Sequence, residues 1–150
     1  MEPVRIRARD WVVVCDGRKA LILENVGNAI EPRLETKESR QHDDAPTREQ
    51  GTDAPPRVVW PASGQRSAIE QTDWHDEAER AFLVGLAQRL DGAVSKGEAE
   101  RLILVAPPRA LGMIRKAYSP ALRQAIGAEI EKDYTRLPVR EIERHLTGEG

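Results

Sequence analysis

Apolar positions along the chain fall into short blocks separated by charged or turn-forming residues. The densest block is Leu102-Ile103-Leu104-Val105-Ala106, closed by Pro107-Pro108. An unbroken apolar run this short reads as a strand buried on both faces. Neither proline nitrogen can donate to a ladder, so the chain must leave the sheet at Ala106. Residues 109–117 then take helical spacing, with Ala110, Leu111, Ile114 and Ala117 on one face. The pattern is a strand feeding a helix at the carboxyl end of a sheet, where open α/β folds place their sites.

Upstream, Trp11-Val12-Val13-Val14-Cys15 is β-prone and Asp16-Gly17 signals a tight turn. Ala20-Leu21-Ile22-Leu23-Glu24 is the returning strand, and Asn25-Val26-Gly27-Asn28 a second turn. Residues 33–38 form a weaker third strand whose charges suit a sheet edge. Between about 39 and 72 no periodicity survives, which predicts a long loop. Thr72-Asp73 suits the cap of a helix running to about Val94 and ending near Gly97. Ser119-Pro120 starts another helix, ending near Gly127, and residues 128–134 alternate as a strand. Leu137-Pro138 opens a last helix with Val139, Ile142 and Leu146 as its buried stripe. The order β-β-β-loop-α-β-α-α-β-α predicts a single α/β domain over residues 1–150, with a mixed five-stranded sheet of ribonuclease-H-like arrangement.

Composition narrows the function classes. A net charge of −2 exerts no general pull on nucleic acid or anionic membrane. Aromatics, at 4%, are too scarce for a platform stacking several bases. Cys15 is the only cysteine, so neither an intramolecular disulfide nor a cysteine metal cluster can form, and a reducing compartment is expected. No stretch approaches the ~20 apolar residues of a membrane span and the start lacks a signal-peptide core, so the expected location is the cytoplasm.

Arg109, Arg115, Lys116 and Arg123 follow the strongest strand with no acid among them. With the N–H groups of a helix start they would suit the phosphate of RNA or of a nucleotide. A solvated basic helix face is the plainer account. No Walker loop or dinucleotide glycine motif is present. A metal nuclease needs converging acids. Asp16 ends the first strand and Glu129, Glu131 and Asp133 share one strand face, but Ala106-Pro107 stands where another acid is needed. His42, His75 and His145 lack ligand spacing, and Cys15 reads as buried and inert. The expectation is therefore no metal, no cofactor and no sequence-specific reading of DNA.

Several blocks, in their order and spacing, resemble one bacterial family, the host attachment proteins. They are Trp11-Val12-Val13-Val14-Cys15-Asp16-Gly17, Arg66-Ser67-Ala68-Ile69-Glu70, Asp73-Trp74-His75, Leu104-Val105-Ala106-Pro107-Pro108-Arg109, Glu129-Ile130-Glu131-Lys132-Asp133-Tyr134 and Leu137-Pro138 with His145-Leu146. The resemblance implies an α/β domain related to the middle domain of archaeal and eukaryotic class-one release factors, and a role in attachment without a stated activity. It directs attention to Ser63, Gly64, Gln65 and Arg66. Release factors carry Gly-Gly-Gln on such a loop to direct water at peptidyl-tRNA. Ser63 replaces the first glycine here, and serine adopts glycine's φ values poorly. Three readings follow. The first is a non-enzymatic binding module for RNA, the ribosome or a protein, using the 39–72 loop and the basic residues. The second is an ester hydrolase using Gln65. The third is a direct adhesion factor, which the missing export signal disfavours.

Overall fold

Val12, Val13 and Val14 have β-branched side chains that suit a pleated, buried surface, and Trp11–Cys15 forms the central strand β1, fully buried. Asp16 accepts from the N–H groups of Arg18 and Lys19, at 2.8 Å each, and so reverses the chain into β2, Lys19–Asn25. β3, Leu34–Gln41, pairs antiparallel with β2. The computed structural model describes residues 4–41 and 68–148, with side chains of the first helix from His75 onward. That helix, α1, spans Ala68–Ser95. Gly97 follows in the left-handed region at φ 79°, where the N–H groups of Glu98 and Ala99 return to the Ala93 carbonyl. β4 (Leu102–Ala106), α2 (Pro108–Arg115), α3 (Pro120–Ala125), β5 (Ile126–Glu131) and α4 (Val139–Thr147) complete the described elements.

The sheet has five strands in the order β3-β2-β1-β4-β5. β4 runs parallel to both of its neighbours, β1 and β5, whereas β2 is antiparallel to β1 and to β3. The sheet is therefore mixed, as the pattern of blocks implied, with β3 and β5 at its edges.

Alternation along the strands divides the core into two faces. Trp11, Val13, Cys15, Leu102, Leu104 and Ala106 face α1, α2 and α3, where Leu83, Leu86, Leu90, Leu111, Ile114 and Leu122 cover them. Val12, Val14, Ile103 and Val105 face the other way, under Ile6, Ile142 and Leu146. Val4 pins the incoming chain there by donating to the Leu146 carbonyl at 2.7 Å.

Four boundaries differ from those read in the sequence. β3 runs to Gln41 rather than stopping at 38, because β2 offers partners as far as Lys19↔Gln41. α1 begins at Ala68, so Thr72 and Asp73 lie inside it instead of capping it. Residues 39–41 and 68–72, expected in the loop, thus belong to β3 and α1, and the rest of that expected loop lies outside the described residues. The last strand spans 126–131, not 128–134: β5 follows α3 without a linker, and Lys132 turns back on the Ile130 carbonyl at 3.0 Å. Tyr134 lies past the strand but still packs on the second face, its ring stacked 5.1 Å from His145. Ser119 does cap its helix, accepting from Leu122 N at 3.0 Å with Pro120 in the first turn, and donates to Asp91 of α1.

Candidate functional site: a basic groove along β5

The four basic residues singled out in the sequence are separated by the fold. Arg109 starts α2 and turns toward α1, where Asp76 and Glu79 take up its guanidinium; the Glu79 oxygen lies 3.2 Å from Nη2. An anion at this helix start would meet two carboxylates already paired. Gly17 packs against the same Glu79 side chain, leaving no room for a Cβ. Lys116 is exposed at the end of α2. Arg115 and Arg123 instead face β5.

There they line a groove of about 930 Å³. β5 forms its floor from Ile126 to Glu131. The α2–α3 corner supplies one wall with Arg115, Tyr118 and Arg123, while Val4, Arg5 and Arg101 close the other side and Lys132 stands at the end. Five cationic side chains thus meet two carboxylates, Glu129 and Glu131.

Two of the cations are committed internally. Arg115 grips Glu129 through Nε at 2.9 Å and Nη2 at 2.6 Å. Tyr118 donates its hydroxyl to the other Glu129 oxygen at 2.8 Å. Burial opposes charge on Glu129, but the bonds from Arg115 and Tyr118 outweigh it and hold the carboxyl below its ordinary range. Burial first, and then that bond, pushes the Tyr118 phenol far up. Arg101 pairs with the buried Asp10 and reaches the Arg5 carbonyl. It lies directly over Gly127, where a Cβ would strike its guanidinium. Arg5 and Lys132 make no ion pair among the described residues. Arg123 lies over the Tyr118 ring at 5.2 Å and bonds the Arg115 carbonyl at 3.4 Å.

The carboxylates weighed for metal chemistry are used structurally. Asp16 holds its turn and sits 3.2 Å from Thr135 Oγ1, whose hydroxyl is 2.9 Å from Asp133. Glu129 anchors Arg115 because α2 packs over that side of β5. Among the described residues no group of three potential ligands converges to hold a metal ion. Cys15 is buried, and burial, with Asp16 beside it, pushes its thiol up to about 12. No described helix is long and apolar enough to cross a membrane. Ser63, Gly64, Gln65 and Arg66, and with them the hydrolase reading, lie outside the described residues.

Arg5, Arg101, Tyr118 and Lys132 were not singled out in the sequence. They come from four separate stretches of chain and share no local motif. The only hint was that Arg101 flanks one predicted strand and Lys132 lies within another.

No curated protein matches the chain. Among solved structures, the crystal structure of the archaeal translation termination factor aRF1 is similar over 90% of this chain, with a TM-score of 0.43 and 12% identity. The chain spans only 36% of that factor's length. Residues 11–146 match the family described as "Protein required for attachment to host cells", and the chain belongs to that family.

Proposed function

We propose that the chain is a non-enzymatic binding module that holds an anionic partner in the groove beside β5. The partners weighed from the sequence were RNA, the ribosome or another protein, and a groove with this charge accepts whichever presents phosphates or carboxylates. The observation that carries the reading is the excess of cations over carboxylates in a groove of ligand size, in a chain whose net charge is −2. Arg115 and Arg123 are the residues of the basic run that take part. Arg109, braced on α1, contributes to the fold instead.

The internal chemistry of the groove supports binding over catalysis. Arg115 and Tyr118 keep Glu129 charged, and burial together with the Glu129 bond keeps Tyr118 protonated, so neither group is poised to exchange a proton near neutral pH. Sedimentation with ribosomes, and fluorescence polarisation with labelled RNA and with a labelled acidic peptide, test the proposal at low salt. Binding of at least one of these, weakened tenfold or more by the Arg115→Ala/Arg123→Ala double variant, is the expected result. Absence of binding to all three overturns it.

A further inference from the structure

β5 is a terminal strand of the sheet, and among the described residues only β4 pairs with it. A terminal strand presents a row of backbone N–H and C=O groups to whatever lies beside it. The two edges of this sheet are treated differently. β3 carries Glu35, Lys37, Glu38 and Arg40, a mixed-charge row with Lys37 paired to Glu24 and Arg89 to Glu38. β5 has a narrower treatment: a bulge at Gly127, where the register shifts between Leu102 and Ile103, and walls on both sides. Its edge therefore lies along a shallow, open groove flanked by these side chains.

The two walls differ in chemistry. On the face covered by α2 and α3 stand Arg115, Arg123 and the Tyr118 ring, with Glu129 already neutralised by Arg115. On the opposite face Val4, with Ala128 and Ile130 of the β5 floor, makes an apolar wall that belongs to the second cluster, flanked by Arg5 and Arg101. Side chains of an extended chain alternate between two faces. A strand laid beside β5 would send one set toward the cations and the other toward the apolar wall.

The geometry points to an extended acidic peptide, with carboxylates alternating with apolar residues, that adds to the sheet as a sixth strand beside β5. This rests on the reading of the groove as an anion-binding site and deepens it by naming the occupant. Backbone hydrogen bonds to β5 supply affinity, while Arg115, Arg123 and the apolar wall select the alternation. Arg5 on the opposite side and Lys132 at the end of the groove extend the positive field along it. Polynucleotide suits the site less well. Its phosphates could meet the cations, but it has no use for a strand edge and an apolar wall, and the groove holds one aromatic ring for its bases.

The test uses the whole chain and a fluorescein-labelled peptide of glutamate alternating with valine, about as long as the six-residue β5. Two further peptides of the same sequence carry N-methyl groups on alternate amides, one in each phase. N-methylation blocks the ladder only in the phase whose amides face β5. Binding of the unmodified peptide, with at least a tenfold loss for one methylated phase and little for the other, is expected. Slowed amide exchange across residues 127–131 on peptide addition, absent on RNA addition, accompanies it. Equal binding of all three peptides overturns strand addition and leaves a purely electrostatic groove. Failure of the peptide alongside Arg115- and Arg123-dependent RNA binding also overturns it, while the anion-groove reading stands. If neither probe binds, strand addition falls, and the anion-groove reading falls with it when ribosomes also fail to bind.

Discussion

At the scale of single residues, Glu129 holds the groove in its present form. It binds one guanidinium and one phenol, and its charge sets the potential of the wall they form. Glu129→Gln removes that charge while nearly keeping the shape. The Arg115 side of the pair is half exposed, so solvent screens it, and the expected loss in stability is only about 1 kcal/mol by urea denaturation. The loss depends on pH. The folded-state pKa of Glu129 lies below its ordinary 4.5, so its stabilisation is complete above that value and disappears as pH falls through the lower folded value. Wild type and variant therefore converge in acid. The same substitution frees Arg115, so anion affinity rises as stability falls, a pairing that a merely structural role would not produce. Cys15 behaves in the opposite sense. Its thiol is raised from 9.0 to about 12, so its contribution is present below pH 9 and is lost as pH climbs toward the folded value. A thiol reagent at pH 8 is expected to leave the native chain unlabelled and to react fully once denaturant unfolds it. Rapid labelling of the native chain would contradict the burial of β1.

At the scale of elements, the turn after β2 shows why local pattern carries only part of the fold. Asn25-Val26-Gly27-Asn28 is visible as a turn, but the reach of Asn25 is not. Its buried amide accepts from Gly27 N at 2.9 Å and Arg33 N at 2.8 Å, and donates to the Arg7 carbonyl at 3.0 Å. One side chain thus closes the β2–β3 connection and ties it to the strand's incoming segment. Gly27 must be glycine because a Cβ would collide with the Glu31 carbonyl. Asn25→Ala removes the partner of several part-buried backbone groups and is expected to cost roughly 2 kcal/mol, read as a fall in the thermal midpoint. A shift below about 0.5 kcal/mol would show that water replaces these bonds easily. The same limit explains the boundaries. Strands β1 and β4 were legible because burial on both faces leaves an unbroken apolar run. The last residues of β3, Ser39 to Gln41, were not, since an edge strand exposed on one side has no apolar signature and is specified by its partner β2. Arg115 and Arg123 were legible as a basic run, but that run could not show which members turn to β5 and which to α1.

At the scale of the molecule, the sheet is covered on both faces and the basic groove lies along one edge. The groove assembles from the segment before β1, the residue before β4, the α2–α3 corner and the length of β5, so its charge is a property of the fold and not of any stretch. It stands out against a chain whose overall charge is weakly negative, and long-range attraction of an anion should therefore be small. Local charge must do the work, and this can be separated from net charge. Arg123→Glu and Arg136→Glu change the net charge equally, but Arg136 is exposed and lies outside the groove lining. Both variants should keep the wild-type circular dichroism spectrum and thermal midpoint to within a few degrees, because neither side chain anchors the core. Polarisation titrations with an acidic peptide should then show Arg123→Glu weakening binding by tenfold or more and Arg136→Glu by less than about threefold, since ~1.4 kcal/mol in a local contact is a factor of ten. The difference should shrink as ionic strength rises past ~0.15 M, where the screening length falls to about 8 Å. Equal losses for the two variants would mean that net charge, and not the groove beside β5, governs binding.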